Sequence, residues 1–333
     1  MAVYTTIDNP ELYFQTKVYT SDGGDDTAIT YDGSEDMAPN LVWIKDQSSA
    51  TSSYVCDSVR GSTKRLRSDG TNAEATETTA VKSFGSDGYT LGTHGAVNSN
   101  TSVYATWNWK ESATAGFDIV SYTGNGTDDT DISHSLSAVP HVIIVKNLAA
   151  TQPWRVQHKA LGETYGSILN DATAKDDDAT AWSDEAPTSS VFTLGTSANT
   201  NNNAQAFIAY LWSEKQGFSK FGSYTGNGNV DGSFIYTGFR PAWFMTKRTD
   251  SANSWNIFDN KRDPHNEVVN HLLADDAGAN ESGTSDSDVD FCSNGIKIRE
   301  DNNGVNASGG IYIYMAFAEQ PFVNSNGVPC NAR

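Results

Sequence analysis

Two stretches of the chain carry an aspartate and an arginine at the same distance from a lysine. Asp57 and Arg60 follow one lysine by 12 and 15 residues, and Asp259 and Arg262 follow another by the same intervals. A guanidinium can bind a carboxylate or sulfate through two parallel hydrogen bonds, so Arg60 and Arg262 are candidate ligand-binding residues. The alternative is an Asp–Arg pair that ties a strand end to a loop, because residues repeated through a fold usually serve the fold.

Aromatic side chains offer a second kind of site. The chain has 8 tryptophans and 14 tyrosines, enough for a surface that stacks on sugar rings. An exposed indole can stack in this way, whereas a buried indole fills a core. Trp154 and Trp255 recur eight residues after a lysine, and we assign them to the core. The candidates for glycan stacking are the tryptophans that do not recur: Trp43, Trp182 and Trp243.

Alternating carboxylates suggest a metal site. Asp286, Asp288 and Asp290 would lie on one face of an extended chain, where they repel one another unless a cation is present. They are therefore candidate calcium ligands, with a solvated turn as the alternative. A second stretch, 227–232, matches the first half of an EF-type loop but has Gly238 where the closing glutamate is needed. We expect no cofactor, and calcium is the one candidate metal.

Catalytic motifs are missing from the sequence. It contains no HExxH, no GxSxG and no glycine-rich phosphate loop. A glycosidase needs only two carboxylates about 5 to 9 Å apart, and 41 acidic residues leave room for such a pair. The recurring acids Glu111, Glu214 and Glu319 are the ones to examine, and we interpret them as strand-end residues that pair locally. We predict no catalytic residues and no enzymatic activity.

An internal repeat organises these residues. Pro39, Pro140 and Pro241 are 101 residues apart, and each begins an apolar run with a lysine six residues later. An aromatic-rich run that ends in glutamate lies at 104–111, 207–214 and 312–319. These recurring segments keep one order and one spacing along the chain, which indicates three tandem copies of a single unit.

Strand and turn signals fill each unit. The apolar run after the proline is typical of a buried strand, and Asp-Gly at 87–88 and Asn-Gly at 294–295 predict hairpins. About six short strands in about 100 residues predict an all-β fold with three β-sandwich or jelly-roll-like units. The predicted organisation is a docking segment at 1–15, repeat units at 16–111, 112–214 and 215–319, and a tail at 320–333.

Charge and hydropathy exclude two classes of protein. The net charge of −19 repels phosphate backbones, so we expect no nucleic-acid binding. No apolar run approaches the roughly 20 residues of a membrane span, and the first residues lack a signal-peptide pattern, so we expect no membrane insertion. The cysteines, Cys56, Cys292 and Cys330, are spaced too irregularly to predict a disulfide framework.

Several longer motifs carry a family resemblance. They are GFSKFGSYTGNG at 217–228, YTGFRPAW at 236–243, KRTDSANSW at 247–255 and NASGGIYIYMAFAEQPF at 306–322. In these the chain resembles a family of uncharacterised virion-associated proteins of marine tailed bacteriophages. Its units are also similar to concanavalin-A-like jelly rolls. The resemblance covers almost the whole chain. It implies a structural protein that is assembled in the host cytoplasm and displayed on the virion surface, and it brings no established site residues.

The resemblance and the residues together predict a non-enzymatic virion protein, either a head decoration or a tail-fibre or receptor-binding component. The expected partners are other virion proteins and a host-surface glycan, to which the protein would adhere. A homo-oligomer is expected, with a trimer as one form, although three internal units can also mimic a trimer. The alternative function is a carbohydrate-active enzyme, a phage depolymerase or glycoside hydrolase on a jelly-roll scaffold.

Overall fold

The computed structural model describes residues 5–281 and 287–331, and most of their regular structure is β-strand. The all-β prediction is confirmed. The helical elements in these ranges are a 3₁₀ turn at Pro10–Leu12 and the four-residue helices α1 (Gly95–Asn98), α2 (Ala179–Trp182) and α3 (Ala198–Asn201). Across the described residues, every helix is too short and too polar to cross a bilayer.

Residues 14–109 form a four-stranded sheet, a three-stranded sheet and a short ribbon. The strands are β1 (Phe14–Thr20), β2 (Thr27–Ile29), β3 (Leu41–Asp46), β4 (Tyr54–Asp57), β5 (Lys64–Arg65), β6 (Ala75–Thr76), β7 (Val81–Phe84), β8 (Tyr89–Leu91) and β9 (Val103–Trp109). The larger sheet has the order β1-β9-β3-β4, the smaller has β2-β8-β7, and β5 pairs with β6. The predicted Asp-Gly hairpin joins β7 to β8.

Residues 117–212 form a six-stranded and a two-stranded sheet. The strands are β10 (Phe117–Thr123), β11 (Thr130–Ser133), β12 (Val142–Asn147), β13 (Arg155–His158), β14 (Tyr165–Ile168), β15 (Asp176–Asp177), β16 (Val191–Leu194) and β17 (Ala206–Trp212). The larger sheet has the order β10-β17-β12-β13-β14-β15, and β11 pairs with β16. All of these pairs are antiparallel.

The described part of residues 219–321 forms a five-stranded and a three-stranded sheet. The strands are β18 (Ser219–Thr225), β19 (Phe234–Tyr236), β20 (Phe239–Arg248), β21 (Trp255–Asp259), β22 (Leu272–Leu273), β23 (Val289–Cys292), β24 (Gly295–Ile298) and β25 (Ile311–Pro321). The larger sheet has the order β18-β25-β20-β21-β22, and the smaller has β19-β24-β23. The predicted Asn-Gly hairpin joins β23 to β24.

The three larger sheets contain the same run of four strands. The order β1-β9-β3-β4 recurs as β10-β17-β12-β13 and as β18-β25-β20-β21. In each run the first strand of a segment pairs with the last, and stacked aromatic rings lie across that pair with centroids 5.1, 5.1 and 4.8 Å apart. The three segments thus share one order of four strands, and the division into units at the stated bounds stays a prediction.

A core shared by all three segments explains the apolar runs of the sequence. One face of each larger sheet contributes to a single cluster that holds seven of the eight tryptophans. The opposite faces pack on the smaller sheets in three separate clusters. Strands such as β3 and β12 are therefore buried along their whole length, and a strand covered on both faces has a continuous apolar run.

Candidate functional site

The recurring lysines are buried where one unit meets another. Their ammonium groups donate to backbone carbonyls of a neighbouring unit: Lys45 to Asp276 at 2.5 Å, Lys146 to Thr71 at 2.9 Å, and Lys247 to Ala172 at 3.0 Å. The first unit thus contacts the third, the second contacts the first, and the third contacts the second. Burial lowers the pKa of Lys146 and of Lys247 to about 8. These contacts close a ring within one chain.

The two arginines predicted to bind a ligand are buried ion-pair partners. Arg60 Nε lies 2.5 Å from Asp57 Oδ2, and Arg262 Nε lies 2.7 Å from Asp259 Oδ2. The two guanidinium side chains are 3% and 1% exposed, and each also donates to a carbonyl of the strand before it. Neither guanidinium has its N–H groups open to a ligand. The structure therefore corrects the ligand-binding prediction in favour of the alternative, an Asp–Arg pair that ties a strand end to a loop.

The same aspartates accept a hydrogen bond from another unit. Tyr210 Oη donates to Asp57 Oδ2 at 2.7 Å, and Trp107 Nε1 donates to Asp259 Oδ2 at 3.0 Å. Each carboxylate is thus satisfied by its own arginine and by a donor across the contact between units. A buried carboxylate requires such partners, because an unpaired one would carry a large desolvation cost.

The second unit has no Asp–Arg pair at the recurring positions, and the packing explains this difference. His158 occupies the aspartate position, and the residue that corresponds to Trp107 and Tyr210 is Met315, which has no strong donor to offer. His158 Nε2 instead makes a hydrogen bond with the backbone oxygen of Tyr314 at 3.1 Å. Burial lowers the pKa of His158 to about 4, so the ring is neutral at pH 7.

The tryptophans predicted to stack on glycans are core residues. Trp43, Trp182 and Trp243 are all buried, and a buried ring offers no face to a sugar, so the structure corrects that prediction too. Trp154 and Trp255 lie in the core as predicted. Their indole N–H groups donate across contacts between units, each at 2.8 Å, to backbone carbonyls 87 residues earlier.

The candidate calcium ligands have partners within the protein or lie outside the described residues. Asp286 belongs to the segment that the structure does not describe. Asp290 is buried and lies 2.5 Å from Arg299 Nε, which supplies the compensating charge; Asp288 is partly buried two residues before it. Within residues 5–281 and 287–331, no group of three or more His, Cys, Asp or Glu residues is placed to hold a metal ion.

Two of the recurring glutamates form ion pairs. Glu214 lies 2.6 Å from both Lys159 and Lys220, and Glu319 lies 3.1 Å from Arg240. Burial alone would raise the pKa of Glu214, but the hydrogen bonds and charges of the two lysines outweigh it and lower that pKa. Both acids thus have basic side chains as local partners.

Glu111 differs from its two counterparts. Burial, together with a hydrogen bond from its side chain to that of Asp118, raises the pKa of Glu111 to about 7. Two hydrogen-bonded carboxyl groups are closer together than the roughly 5 to 9.5 Å that separates the acids of glycoside hydrolases. Glu111, at the connector between the first two units, therefore gains its proton near neutral pH, and its spacing from Asp118 does not fit glycoside hydrolysis.

An exposed aromatic pair distinguishes the third unit. Phe234 and Tyr236 on β19 are 48% and 60% exposed, while Ile235 between them is 4% exposed. Alternation along a strand places both rings on the solvent side of the sheet. We did not predict these residues, although aromatic residues at solvent-facing strand positions in only one of three units are a detectable signal.

The corresponding residues of the other units are small or polar. Ile29, Ile132 and Ile235 are 103 residues apart, and each is buried in its smaller sheet. The residues that flank them are Ala28 and Thr30 in the first unit, and Asp131 and Ser133 in the second. The aromatic pair is therefore not required by the shared architecture.

Glycines lie beneath both rings. A Cβ atom at Gly295 would come within 2.7 Å of the Phe234 ring, and one at Gly238 would come within 3.4 Å of the Tyr236 hydroxyl. Gly238 also has a φ of +81°, which favours glycine. The strand is at the edge of its sheet. The rings thus rest on bare backbone with much of their area open to solvent.

A small cleft adjoins Tyr236. It has a volume of about 170 Å³ and is lined in part by Glu214, Ser219, Lys220 and Thr237. The cleft therefore places an aromatic ring beside hydroxyl, carboxylate and ammonium groups. We name Phe234, Tyr236 and these cleft residues the third-unit surface.

Comparison with known proteins identifies the family. A model described as a domain of unknown function, DUF7483, matches residues 9–321. The chain belongs to the DUF7483 family. No curated protein matches it. Among solved structures, a chain titled "Crystal Structure of the STIV MCP" is similar over 61% of this chain and 96% of its own length, with 9% identity and a TM-score of 0.22. That likeness is too weak to bear on fold or function.

The two end segments of the DUF7483 chain lie against the rest of the protein. Ile7 and Phe14 are buried, and Phe14 begins β1. Ser325 N donates to Asp8 Oδ1 at 2.7 Å, and a cleft of about 500 Å³ lies between the two segments. The described part of the predicted docking segment 1–15 thus contributes to the fold.

Proposed function

We propose that this DUF7483 protein is a non-enzymatic structural protein of a virion surface, a head decoration or tail-fibre component that adheres to host-surface glycans. The observation that supports the proposal most strongly is that the recurring polar residues are buried in contacts between units. Lysines, Asp–Arg pairs and indole N–H groups are buried between units and join them into one body. Residues used in this way serve rigidity and assembly rather than turnover.

The resemblance to virion-associated phage proteins supports the assignment to a particle. A net charge of −19 keeps such a protein soluble and away from packaged nucleic acid. Lys45 of the first unit reaches Asp276 of the third, so one chain closes its own ring of contacts. This supports the alternative in which three units mimic a trimer, and the proposed partners are other virion proteins and a glycan.

Labelling of purified virions tests this proposal. An antibody against the protein should decorate the head or tail of intact particles in electron micrographs, and mass spectrometry of washed particles should detect the chain. Its absence from washed particles would contradict the structural role. A parallel assay on host capsule or lipopolysaccharide should release no sugar; release that is lost in Glu111→Gln would instead support the depolymerase alternative.

A further inference from the structure

We propose that the third-unit surface binds an uncharged pyranose ring of a glycan. The inference deepens the adhesive part of the proposed function and rests on it. Tyr236 and Phe234 supply apolar faces for stacking, and the cleft beside Tyr236 supplies hydrogen-bonding groups. The aromatic pair is present in the third unit alone, and the cleft lies where Glu214, at the end of the second unit, meets the third.

The two rings form a platform along one strand. Residues two apart in a strand lie about 7 Å from each other, so a chain of linked sugars can cover both rings. Gly295 beneath Phe234 allows that ring to lie against backbone, because a Cβ atom there would come within 2.7 Å of it. Tyrosine combines an apolar ring with a polar tip, and such residues recur where one side of a contact is apolar and the other is wet.

The cleft provides the polar contacts that a sugar requires. A pyranose presents hydroxyl groups that both donate and accept; at the cleft Lys220 can donate and Glu214 can accept. The volume of about 170 Å³ is well below the roughly 300 Å³ at which pockets for drug-sized ligands begin. The cleft therefore accommodates one ring of a longer glycan whose neighbour lies on Phe234.

Size and charge favour an uncharged glycan over other occupants. Two exposed side chains fall far short of the roughly 1,000 Å² that a stable protein–protein interface buries, which disfavours a second copy of this chain. The net charge of −19 repels sulfated or uronic-acid polymers. Glu214 lies between two lysines, so the cleft itself is close to neutral.

A glycan array with matched variants of the full chain tests the proposal. The probes are immobilised neutral hexose and N-acetylhexosamine oligosaccharides, with sialylated and uronic-acid oligosaccharides for comparison. The main variant is Phe234→Asp with Tyr236→Ser, which installs the residues of the second unit. Tyr236→Ser alone keeps Phe234 over Gly295, Tyr236→Trp preserves stacking, and Ile311→Ala removes an exposed apolar side chain elsewhere in the same unit.

We expect wild type, Tyr236→Trp and Ile311→Ala to bind at least one neutral probe. Tyr236→Ser and the double variant should bind at least about tenfold more weakly, with unchanged melting temperatures. Absence of binding to every neutral probe, equal binding by the Tyr236→Ser variant, or a change in oligomeric state in the double variant would overturn the inference. If the protein is found in virions but binds no glycan, the glycan site is wrong and the structural role stands. If it binds a glycan but is absent from virions, the role in the particle is wrong and the glycan site stands.

Discussion

At the scale of single residues, the same acid acquires different properties in the three units because its neighbours differ. Glu214 has Lys220 beside it, whereas Glu111 has Asp118 at the matching position. One difference in the neighbouring strand thus exchanges a lysine that lowers the pKa of the glutamate for an aspartate that raises it. The recurrence of a residue type does not by itself predict its ionisation state.

Glu111 should make stability depend on pH. Its pKa in the folded protein, about 7, lies above the 4.5 of an unperturbed glutamate, so its contribution to the free energy of unfolding is complete below pH 4.5 and is lost as pH rises through 7. Glu111→Gln should therefore stabilise the protein by about 1 kcal/mol at pH 8, a value reduced by partial exposure. Urea unfolding at pH 5 and pH 8 measures this.

Glu214→Gln is the matched control for that measurement. The pKa of Glu214 is lowered in the folded protein, so neutralising its side chain should destabilise the protein at pH 8. Stabilisation by both substitutions, or by neither, would contradict the raised pKa of Glu111.

The buried aspartates should be costly to remove. Asp57→Ala removes the closer carboxylate partner of the buried Arg60 guanidinium and leaves Glu74 at 3.3 Å, so we expect a cost of about 3 kcal/mol, the low end for breaking a buried pair. Asp231→Ala breaks an ion pair with Lys297 in which the aspartate is 80% exposed, and solvent screening should make its loss far less costly than that of Asp57. Denaturant unfolding of the two variants compares them directly, and equal costs would refute a structural role for the buried pair.

At the scale of elements, the sequence predicts best what depends on local pattern. The apolar run after Pro140 is strand β12, and the Asp-Gly pair at 87–88 marks a real hairpin. The helices α1, α2 and α3 are only four residues long, too short for a helical period to show in the sequence. Local pattern does not predict which faces of the larger sheets are buried. Trp43 and Trp243 are buried because three sheets pack on one core, and that packing depends on residues far apart in the sequence.

The aromatic pair on β19 was missed for a related reason. Alternation predicts that Phe234 and Tyr236 share a face, but not that this face meets solvent. Once Ile29, Ile132 and Ile235 are aligned, the difference between the units is visible in the sequence alone.

Truncation of the two end segments should have different effects on the stability of the protein. Removing residues 1–15 deletes Ile7, Phe14 and Gln15, which are buried, and shortens β1. We expect this variant to lose several kcal/mol of stability or to fail to fold, since deleting one large buried side chain alone costs about 2–5 kcal/mol. Removing 324–333 deletes mainly exposed residues and should lower the melting temperature far less. Similar melting temperatures for the two truncations would refute this account.

At the scale of the whole molecule, the shared core makes the units interdependent. Seven of the eight tryptophans lie in that core, so a single unit alone would expose a large aromatic face to water. Residues 16–111 expressed by themselves should be insoluble or unfolded by circular dichroism, whereas the full chain should unfold in one cooperative transition. Independent melting of three units would contradict the shared core.

Contacts between the units hold the chain together as one rigid body, which can present a binding surface in a fixed orientation. The surface that differs between units is the third-unit surface. A cryo-electron microscopy reconstruction of the purified virion tests this account most directly. We expect density for the body built on the three larger sheets on the outside of the head or tail. Phe234 and Tyr236 should face away from the particle. A virion without that body, or one in which this face is buried against the particle, would contradict it.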